Sequence, residues 1–319
     1  HDLTENIVHM VLARIEGAPP GTKGISLFII PKLRPENGEL VDNDVVCPGI
    51  EHKLGIHGSA TSTLNFGENN NCIGYLLGEA NQGMRIMFQM MNESRLFVGM
   101  QGQSHASAAY LYALQYSKER TQGSDASRIK DPAAPRVAII NHPDVRRMLM
   151  FMKSVSEGLR ALLYYVGFCD DMVRSAEDDQ EREKYQDFID ILIPVCKAYG
   201  SDMGFRVCET AVQVLAGYGY CQEHPVEQFL RDCKIASIYE GTNGIQALDL
   251  VGRKLVIKRG QLFKRLIAET EEFLRWARKN FELRELVATF EAARQQLIEV
   301  TKYFGLKGMT EDYTETLLY

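Results

Sequence analysis

A single carboxylate, Glu240, lies in the segment "SIYEGTNGIQ", residues 237–246, where its type and neighbours could support chemistry. Tyr239 precedes it, Gly241 follows it, and no Lys or Arg is adjacent to neutralise its charge. Such an acid can act as a general base that removes a proton from a ligand, and the glycine permits close approach of that ligand. It can instead cap the helix that follows, and the residues alone favour this capping role.

Two other groups have residue types that suit a phosphate ligand. Arg120 and Gln122 lie in "ERTQG", and a guanidinium fork pairs well with phosphate oxygens. A solvated arginine at a helix end is the alternative, and it is favoured when these residues are taken alone. Gln213, Gly217 and Gly219 lie in "QVLAGYGY", where small residues either let the backbone approach a phosphate or end a helix.

The remaining candidates are weaker. Arg95 in "NESR" either faces a ligand channel or is an exposed helix residue. The seven cysteines are scattered, with no C-x-x-C pair and no histidine at ligand spacing, so no metal site is expected. They are interpreted as reduced thiols of a cytosolic type of compartment.

The elements that must position these residues change character along the chain. Short apolar or alternating runs such as "GISLFIIP", separated by Gly, Pro and Asn clusters, predict strands over roughly the first 80 residues. From residue 81 the period becomes helical, and Pro143 marks the first turn of the second helix. A third helix runs through "FIDILIPVCKAYG", a fourth from about Gly244 through "LVGRKLV", and two more follow Gly260. A β layer followed by a helical bundle whose core holds a ligand fits this order.

Composition limits the classes of function. The 319 residues are 45% hydrophobic and 24% charged, which is typical of a globular protein with one or two domains. A formal net charge of -6 gives no general affinity for nucleic acid. No apolar run approaches the roughly 20 residues needed to span a bilayer, and the first residues lack a signal-peptide pattern.

Several segments occur in the order typical of one family. They include "GTKGISLFIIPK", "LLGEANQGM", "NESR", "AVQVLAGYGY" and "FLRDCKIASIYEGTNGIQ", and together they span roughly residues 1 to 258. In this order they resemble the C-terminal half of the acyl-CoA dehydrogenase family. The opening "HDLTENIVHMVLARIEGAPPGTKG" is similar to the long branch that includes 3-methylmercaptopropionyl-CoA dehydrogenase.

The resemblance implies a fold and an activity. The fold is an α+β fragment, with a partial β domain over 1–80, an all-α four-helix bundle over 81–258, and the start of an additional helical domain over 259–319. The activity is oxidation of an acyl-CoA thioester to the enoyl-CoA, with Glu240 as base and hydride transfer to FAD. Electron-transfer flavoprotein is the implied electron acceptor. A homodimer or homotetramer is implied, in the bacterial cytoplasm or, as an alternative, in the mitochondrial matrix.

The resemblance also assigns roles to individual residues. Residues near the acyl-CoA are Arg95, Tyr239 and Gly241. Residues that contact flavin are Arg120, Gln122, Gln213, Gly217, Gly219 and Thr242; all of these except Thr242 reach the flavin of a neighbouring subunit. A family Phe after Gln122 is missing, and Gly244 replaces a residue that is often polar. Some relatives place their acid immediately before the matching arginine, but that position is Ser94 here, and Glu93 is one residue away.

Other functions remain open at this point. The family's relatives include a nitroalkane-oxidising flavoenzyme, whose base is Asp, and a DNA-binding stress protein with a basic face. An assembly module is a third possibility. Because family members open with an all-helical domain, we expect a fragment that binds flavin poorly alone and whose isolated activity is doubtful.

Overall fold

The computed structural model describes residues 3–307, which form two compact units that divide between Ser94 and Arg95. The first unit contains small sheets, and helices make up most of the second. This confirms the predicted α+β class with a β region before a helical domain. The domain boundaries at residues 80 and 258 stay predictions.

Short antiparallel strands build the first unit. Their bounds are β1 Val8–Arg14, β2 Ile25–Pro31, β3 Leu33–Glu36, β4 Glu39–Asp42, β5 Val45–Ile50, β6 Ser62–Phe66 and β7 Tyr75–Leu77. β2 is central in the sheet β1-β2-β7, while β3 pairs with β4 and β5 with β6. Leu27 and Ile30 on β2 are buried, as expected for the apolar positions of a central strand.

Long helices dominate the second unit. The helices of the chain are α1 Gly83–Glu119, α2 Pro143–Ser175, α3 Asp179–Leu215, α4 Val226–Lys234, α5 Asn243–Asp249, α6 Gln261–Ala277 and α7 Arg284–Lys307. A two-stranded hairpin, β8 Thr121–Ser124 and β9 Arg136–Ala138, lies between α1 and α2. No helix within residues 3–307 is long and apolar enough to cross a membrane.

Local signals explain where the long helices begin. Pro143 is the first residue of α2, as predicted, because its fixed φ suits a position with no intrahelical N–H partner. α3 begins at Asp179, inside the acidic segment "SAEDDQERE". There the Asp178 carboxylate accepts a hydrogen bond from the Gln180 amide at 3.1 Å and caps the helix.

The predicted fourth helix is shorter than expected. The α-helical part of α5 ends at Asp249, and a wider π turn follows over Leu250–Lys254, in which the Leu255 amide donates to the Leu250 carbonyl at 2.9 Å. Lys254 is buried there, and its ammonium lies 2.8 Å from the Asp190 carboxylate of α3. The Lys254–Asp190 ion pair thus occurs where the helix widens into a π turn, which the hydrophobic period of the sequence does not predict.

Glycines let α1 and α3 touch backbone to backbone. A Cβ added at Gly102 would lie 2.2 Å from the Gly200 carbonyl oxygen, and one at Gly204 would lie 2.5 Å from the Gly102 carbonyl oxygen. At Gly99 an added Cβ would lie 2.7 Å from the Cys196 carbonyl oxygen. These separations are far below van der Waals contact, so the crossing of the two helices requires glycine.

Two apolar clusters surround this crossing. The first joins α1, α2, α3 and α4, and its largest buried members include Met152, Leu159, Val207, Leu215 and Val226. The second joins α2, α3 and α6, and it includes Leu163, Phe188, Ile191, Ile193 and Leu262. α3 therefore contributes to both cores, which makes it the central helix of the unit.

A charge network also fastens α6 and the segment before it to α3. The Asp187 carboxylate is completely buried and pairs with Lys258 at 2.7 Å and with Arg265. Glu183, one turn earlier, pairs with the same two cations but is 48% exposed. The two carboxylates thus have the same partners and differ mainly in burial.

Replacing Gly102 with alanine is expected to lower the free energy of unfolding. The added methyl group would overlap the α3 backbone, and overpacking of this kind costs about 1–3 kcal/mol. Urea unfolding followed by helical circular dichroism measures the change. Gly158→Ala is the control, because Gly158 is exposed on α2 with nothing within 4 Å of an added Cβ. That control should raise the unfolding free energy by about 0.5–1 kcal/mol, and equal losses in both variants would contradict the close crossing.

Replacing Asp187 with asparagine is expected to loosen α6. The change leaves Lys258 and Arg265 without their buried counter-charge, and since both cations are partly exposed we expect a loss of about 2–3 kcal/mol. The measurement is the unfolding free energy in urea. Glu183→Gln removes an exposed carboxylate from the same cations and should change stability far less. A larger effect at Glu183 than at Asp187 would show that burial does not set the strength of this network.

Candidate functional site

The turn that carries Glu240 has an unfavourable backbone conformation. It follows α4 and a short 3₁₀ turn over Ile235–Ser237, and it has a φ of 57° at Glu240 and 86° at Gly241. Glycine adopts the left-handed region freely, but a residue with a Cβ does so at a cost of about 1–2 kcal/mol. Contacts with the surrounding helices must therefore hold Glu240 in place.

Two buried side chains bind the backbone of this turn. Arg95 of α1 donates from Nε to the Glu240 carbonyl at 3.4 Å, and Gln246 of α5 donates from Nε2 to the Gly241 carbonyl at 3.1 Å. The Arg95 guanidinium is also 3.3 Å from the Asp249 carboxylate. A Cβ at Gly241 would lie 3.0 Å from Gln246 Nε2. The absence of a side chain at Gly241 therefore leaves room for Gln246, which together with Arg95 clamps the turn.

The Glu240 carboxylate is half-buried, and within residues 3–307 it has no hydrogen-bond or ion-pair partner. The N-cap of α5 is Thr242, whose Oγ1 accepts from the Ile245 amide at 3.4 Å. The capping role considered for Glu240 is therefore wrong. The acid is held through its backbone, while its side chain is available to a ligand.

Two cations act on Glu240 from other helices, although none is adjacent to it in the sequence. The charges of Arg95 and Lys197 both interact with its carboxylate. Lys197 on α3 is completely buried, and this burial lowers the pKa of its ammonium to about 8. Burial likewise lowers the pKa of Arg95, while Asp249 acts in the opposite direction. Both cations lie far from Glu240 in the sequence, so adjacency could not reveal them.

Asn243 joins the turn to α3. Its Oδ1 accepts from Lys197 Nζ at 3.0 Å and from Ser201 Oγ at 3.2 Å, and its Nδ2 donates to Asp202 Oδ1 at 2.7 Å. Asn243, Lys197, Ser201 and Asp202 were not among the site residues predicted from the sequence. The available signal was a lysine inside the apolar helical run "ILIPVCKAYG", which must find a polar partner when it is buried.

The aromatic residue beside Glu240 is also tied to α1. The Tyr239 hydroxyl donates to Gln101 Oε1, and burial raises the pKa of Tyr239. The assignments of Arg95, Tyr239 and Gly241 to substrate binding stay predictions. In the structure Arg95 is only 2% exposed and contacts protein groups of the turn.

A second candidate site is a groove of about 810 Å³ at the far ends of α1 and α3. Four residues selected from the sequence line it: Arg120, Gln122, Gln213 and Gly217. Gly219 and Thr242 are not among its lining residues. The structure therefore brings together residues separated by almost 100 positions and leaves Thr242 beside Glu240.

Arg120 is held in the groove and is not simply solvated. Its guanidinium lies 5.4 Å from the centre of the Tyr218 ring, and its Nη2 donates to Gln122 Oε1 at 3.5 Å. The Arg120 carbonyl accepts from the Ile139 amide at 2.8 Å. Tyr218 is half-exposed and meets the His224 ring edge to face. Sequence reasoning missed Tyr218, although it lies between the two selected glycines.

The two glycines selected after α3, Gly217 and Gly219, do not act as its left-handed cap. The residue with positive φ after α3 is Ala216, at φ 53° and ψ -133°. Gly217 has nothing within 4 Å of an added Cβ, so its backbone faces open space in the groove. Gly219 is packed so closely that a Cβ would lie 2.5 Å from the Val212 carbonyl oxygen. Gly217 is thus free to approach a ligand, whereas Gly219 is needed for internal packing.

The groove suits an anionic nucleotide. A guanidinium fork and exposed amide side chains face it, Gly217 presents backbone without a side chain, and Tyr218 adds an aromatic surface. Its volume lies in the range of about 300–1,000 Å³ that is usual for small-molecule sites. In contrast, no cluster of three or more His, Cys, Asp or Glu side chains suited to a metal ion occurs in the described part of the chain.

Comparison with known proteins places these features in a family. The acyl-CoA dehydrogenase C-terminal domain matches residues 81–255. A butyryl-CoA dehydrogenase of Syntrophomonas wolfei subsp. wolfei is 47% identical over 281 residues, which cover 86% of this chain and 46% of that protein. The 3-methylmercaptopropionyl-CoA dehydrogenase of Ruegeria pomeroyi is 42% identical over 276 residues, covering 85% of this chain and 46% of that protein. The chain spans about half the length of the curated relatives it matches.

A solved structure shows the same fold. Caenorhabditis elegans ACDH-11, in complex with C11-CoA, has a TM-score of 0.79 and 21% sequence identity, covering 95% of this chain and 48% of that chain. The family match includes α1 through α5, and with them both the Glu240 turn and the groove. Since that match takes in more than half of the residues, the chain belongs to the acyl-CoA dehydrogenase family.

Proposed function

We propose that the chain is part of a flavin-dependent acyl-CoA dehydrogenase and carries its general base, Glu240. The observation that supports this proposal is the half-buried carboxylate, without a partner within residues 3–307, on a turn whose backbone is clamped in a left-handed conformation. Backbone strain of this kind is often found at functional sites. Neither a solvated surface acid nor a helix cap needs such an arrangement.

The residues of the turn have distinct tasks in this reaction. The protons on the α carbon of a thioester are weakly acidic, so the base must be fixed against them. The Glu240 carboxylate accepts the α proton. Its backbone N–H donates to no acceptor within residues 3–307, so it can polarise the thioester carbonyl. Arg95 and Gln246 hold the turn while the proton moves.

The family is FAD-dependent, and residues of this chain fit that cofactor. When bound, FAD supplies the acceptor for the hydride that leaves the β carbon. Arg120 and Gln122 would bind its pyrophosphate, with Gln213 and the open backbone at Gly217 beside them. Thr242 would contribute its hydroxyl from the Glu240 turn, since Oγ1 can donate a hydrogen bond while it caps α5. Gly219 would support this site by fixing the segment next to Gly217.

Two separate groups of flavin contacts on one chain favour an oligomer. The groove and Thr242 would serve flavins of different subunits, as in a homodimer or homotetramer. Acyl-CoA is the proposed substrate, electron-transfer flavoprotein the proposed acceptor, and the bacterial cytoplasm the proposed compartment. The seven cysteines are all free and the close relatives named above are bacterial, which supports this compartment. The family match over 81–255 supports the proposed division into 1–80, 81–258 and 259–319.

Replacing Glu240 with glutamine is expected to abolish reduction of bound flavin by an acyl-CoA. The amide cannot accept the α proton, and general bases contribute about 10²–10⁴-fold to rate. Bleaching of the flavin absorbance is followed with a panel of acyl-CoAs, using the protein expressed from its complete gene. Glu93→Gln, which alters an exposed acid near Arg95, is the control and should retain turnover. Retained activity in Glu240→Gln would refute the assignment of the base.

Replacing Arg120 with alanine is expected to weaken FAD binding. A charge-assisted hydrogen bond contributes about 1.5–3 kcal/mol, so the dissociation constant should rise roughly tenfold to a hundredfold. Flavin retention on a desalting column and fluorescence titration measure the change. Arg120→Lys keeps the charge without the fork and should recover only part of the affinity. Arg174→Ala, at a 70% exposed arginine on α2, should bind flavin normally. Normal FAD binding by Arg120→Ala would show that the FAD pyrophosphate does not contact Arg120.

A further inference from the structure

The Glu240 turn needs a firm support, and α5 alone cannot provide it. α5 has only seven residues, from Asn243 to Asp249, and a helix of one to two turns is marginal without tertiary contacts. The bonds that Glu240 itself accepts, from Arg95 and Gln246, are long at 3.4 and 3.5 Å. The shorter bonds lie three residues later, at Asn243.

Asn243 is the most heavily bonded residue near the turn. Its Nδ2 donates to Asp202 Oδ1 at 2.7 Å, to Ser201 Oγ at 2.9 Å and to the Ala198 carbonyl at 3.3 Å. Its Oδ1 accepts from Lys197 Nζ at 3.0 Å and from Ser201 Oγ at 3.2 Å. All these partners lie on one segment of α3, a 37-residue helix in the core of the unit.

The chemistry of the partners fixes the orientation of the Asn243 amide. Lys197 can only donate, whereas the Asp202 carboxylate and the Ala198 carbonyl can only accept. Rotating the amide by 180° would place two donors together at Lys197 and two acceptors together at Asp202. A single arrangement therefore satisfies the whole set, and it locks the first residue of α5 against α3.

We infer that Asn243 is the positioning residue of the site, and that its hydrogen bonds to Lys197, Ser201 and Asp202 fix where the Glu240 carboxylate meets the substrate. The inference rests on the proposed role of Glu240 as base. Asn243 acts through Glu240 and contacts no reacting atom. Its loss should slow proton removal more than it weakens substrate binding, because a shift of about 1 Å in a reacting group can cost roughly a hundredfold in rate.

The test exchanges donor and acceptor across one hydrogen bond. Asn243→Asp keeps the size of the side chain and the acceptor for Lys197, but it puts an oxygen against Asp202. We expect kcat to fall at least about tenfold, with KM changed less than about threefold. Asp202→Asn alone keeps an acceptor for Asn243 but removes the Asp202 charge, so it is the reference against which recovery in the double variant is measured. In the double variant the amide introduced at position 202 can donate to the carboxylate introduced at position 243, so kcat should recover most of its loss.

Two outcomes of the kinetic experiment would overturn the inference. One is wild-type kcat in Asn243→Asp. The other is a double variant as slow as Asn243→Asp although its melting temperature has recovered, since the network would then support folding without directing Glu240. Recovery of kcat in the double variant, which restores a hydrogen bond between positions 202 and 243, supports the positioning role of Asn243.

A second measurement separates this inference from the proposed function. Amide hydrogen exchange over residues 237 to 246 reports the order of the turn without any substrate. We expect faster exchange there in Asn243→Asp, unchanged exchange at the centre of α3, and recovery in the double variant. If wild type reduces no flavin with any acyl-CoA but this pattern appears, the proposed function fails and the support of the turn stands. Unchanged exchange in Asn243→Asp refutes the inference whatever the activity.

Discussion

The glycine contact between α1 and α3 is the constraint on which the Glu240 site depends. Gly102 lies against Gly200 and Gly204 with no room for a side chain, so the two helix backbones meet directly. Arg95 lies about two turns before Gly102 on α1, and Lys197 lies almost one turn before Gly200 on α3. The close crossing therefore brings both cations to the same end of the helix pair. A wider separation would move Arg95 and Lys197 apart, and they could no longer act on one turn.

α3 also organises the polar contacts of the unit. Three of its residues, Asp187, Asp190 and Lys197, each bind a group from the chain that follows α4. Burying a charge is unfavourable unless a partner compensates for it. Each later segment therefore has a specific place to dock: Asn243 at Lys197, Lys254 at Asp190, and Lys258 at Asp187. One part of the α3 surface packs in the apolar core, and another part provides the polar groups that bind Asn243, Lys254 and Lys258.

The two candidate sites share a physical feature, since each contains a non-glycine residue with a positive φ. These residues are Glu240 in the turn and Ala216 in the groove, with φ values of 57° and 53°. Such conformations persist only where neighbouring contacts impose them. At Glu240 the buried donors Arg95 and Gln246 and the anchored Asn243 supply those contacts. These contacts hold the Glu240 backbone, and the charges of Arg95 and Lys197 act on its carboxylate.

The sequence by itself determined that short strands precede long helices, because hydrophobic period and Pro143 are local signals, whereas the β8–β9 hairpin was found only in the structure. It also selected Glu240 as a candidate base, through its family context, and four of the residues that line the groove. Only the tertiary structure decided what surrounds them. Arg95 reaches the Glu240 carbonyl across 145 positions, and Lys197 reaches Asn243 across 46.

The structure differs from the sequence expectations at three places. Thr242 caps α5 instead of Glu240, as its residue type favours, Lys254 lies in a π turn where a regular helix was expected, and Ala216 has a positive φ beside two glycines. Periodicity and capping preferences describe neighbours along the chain. The partners of a buried charge, and the backbone conformation that those partners impose, are set by helices that meet only after folding.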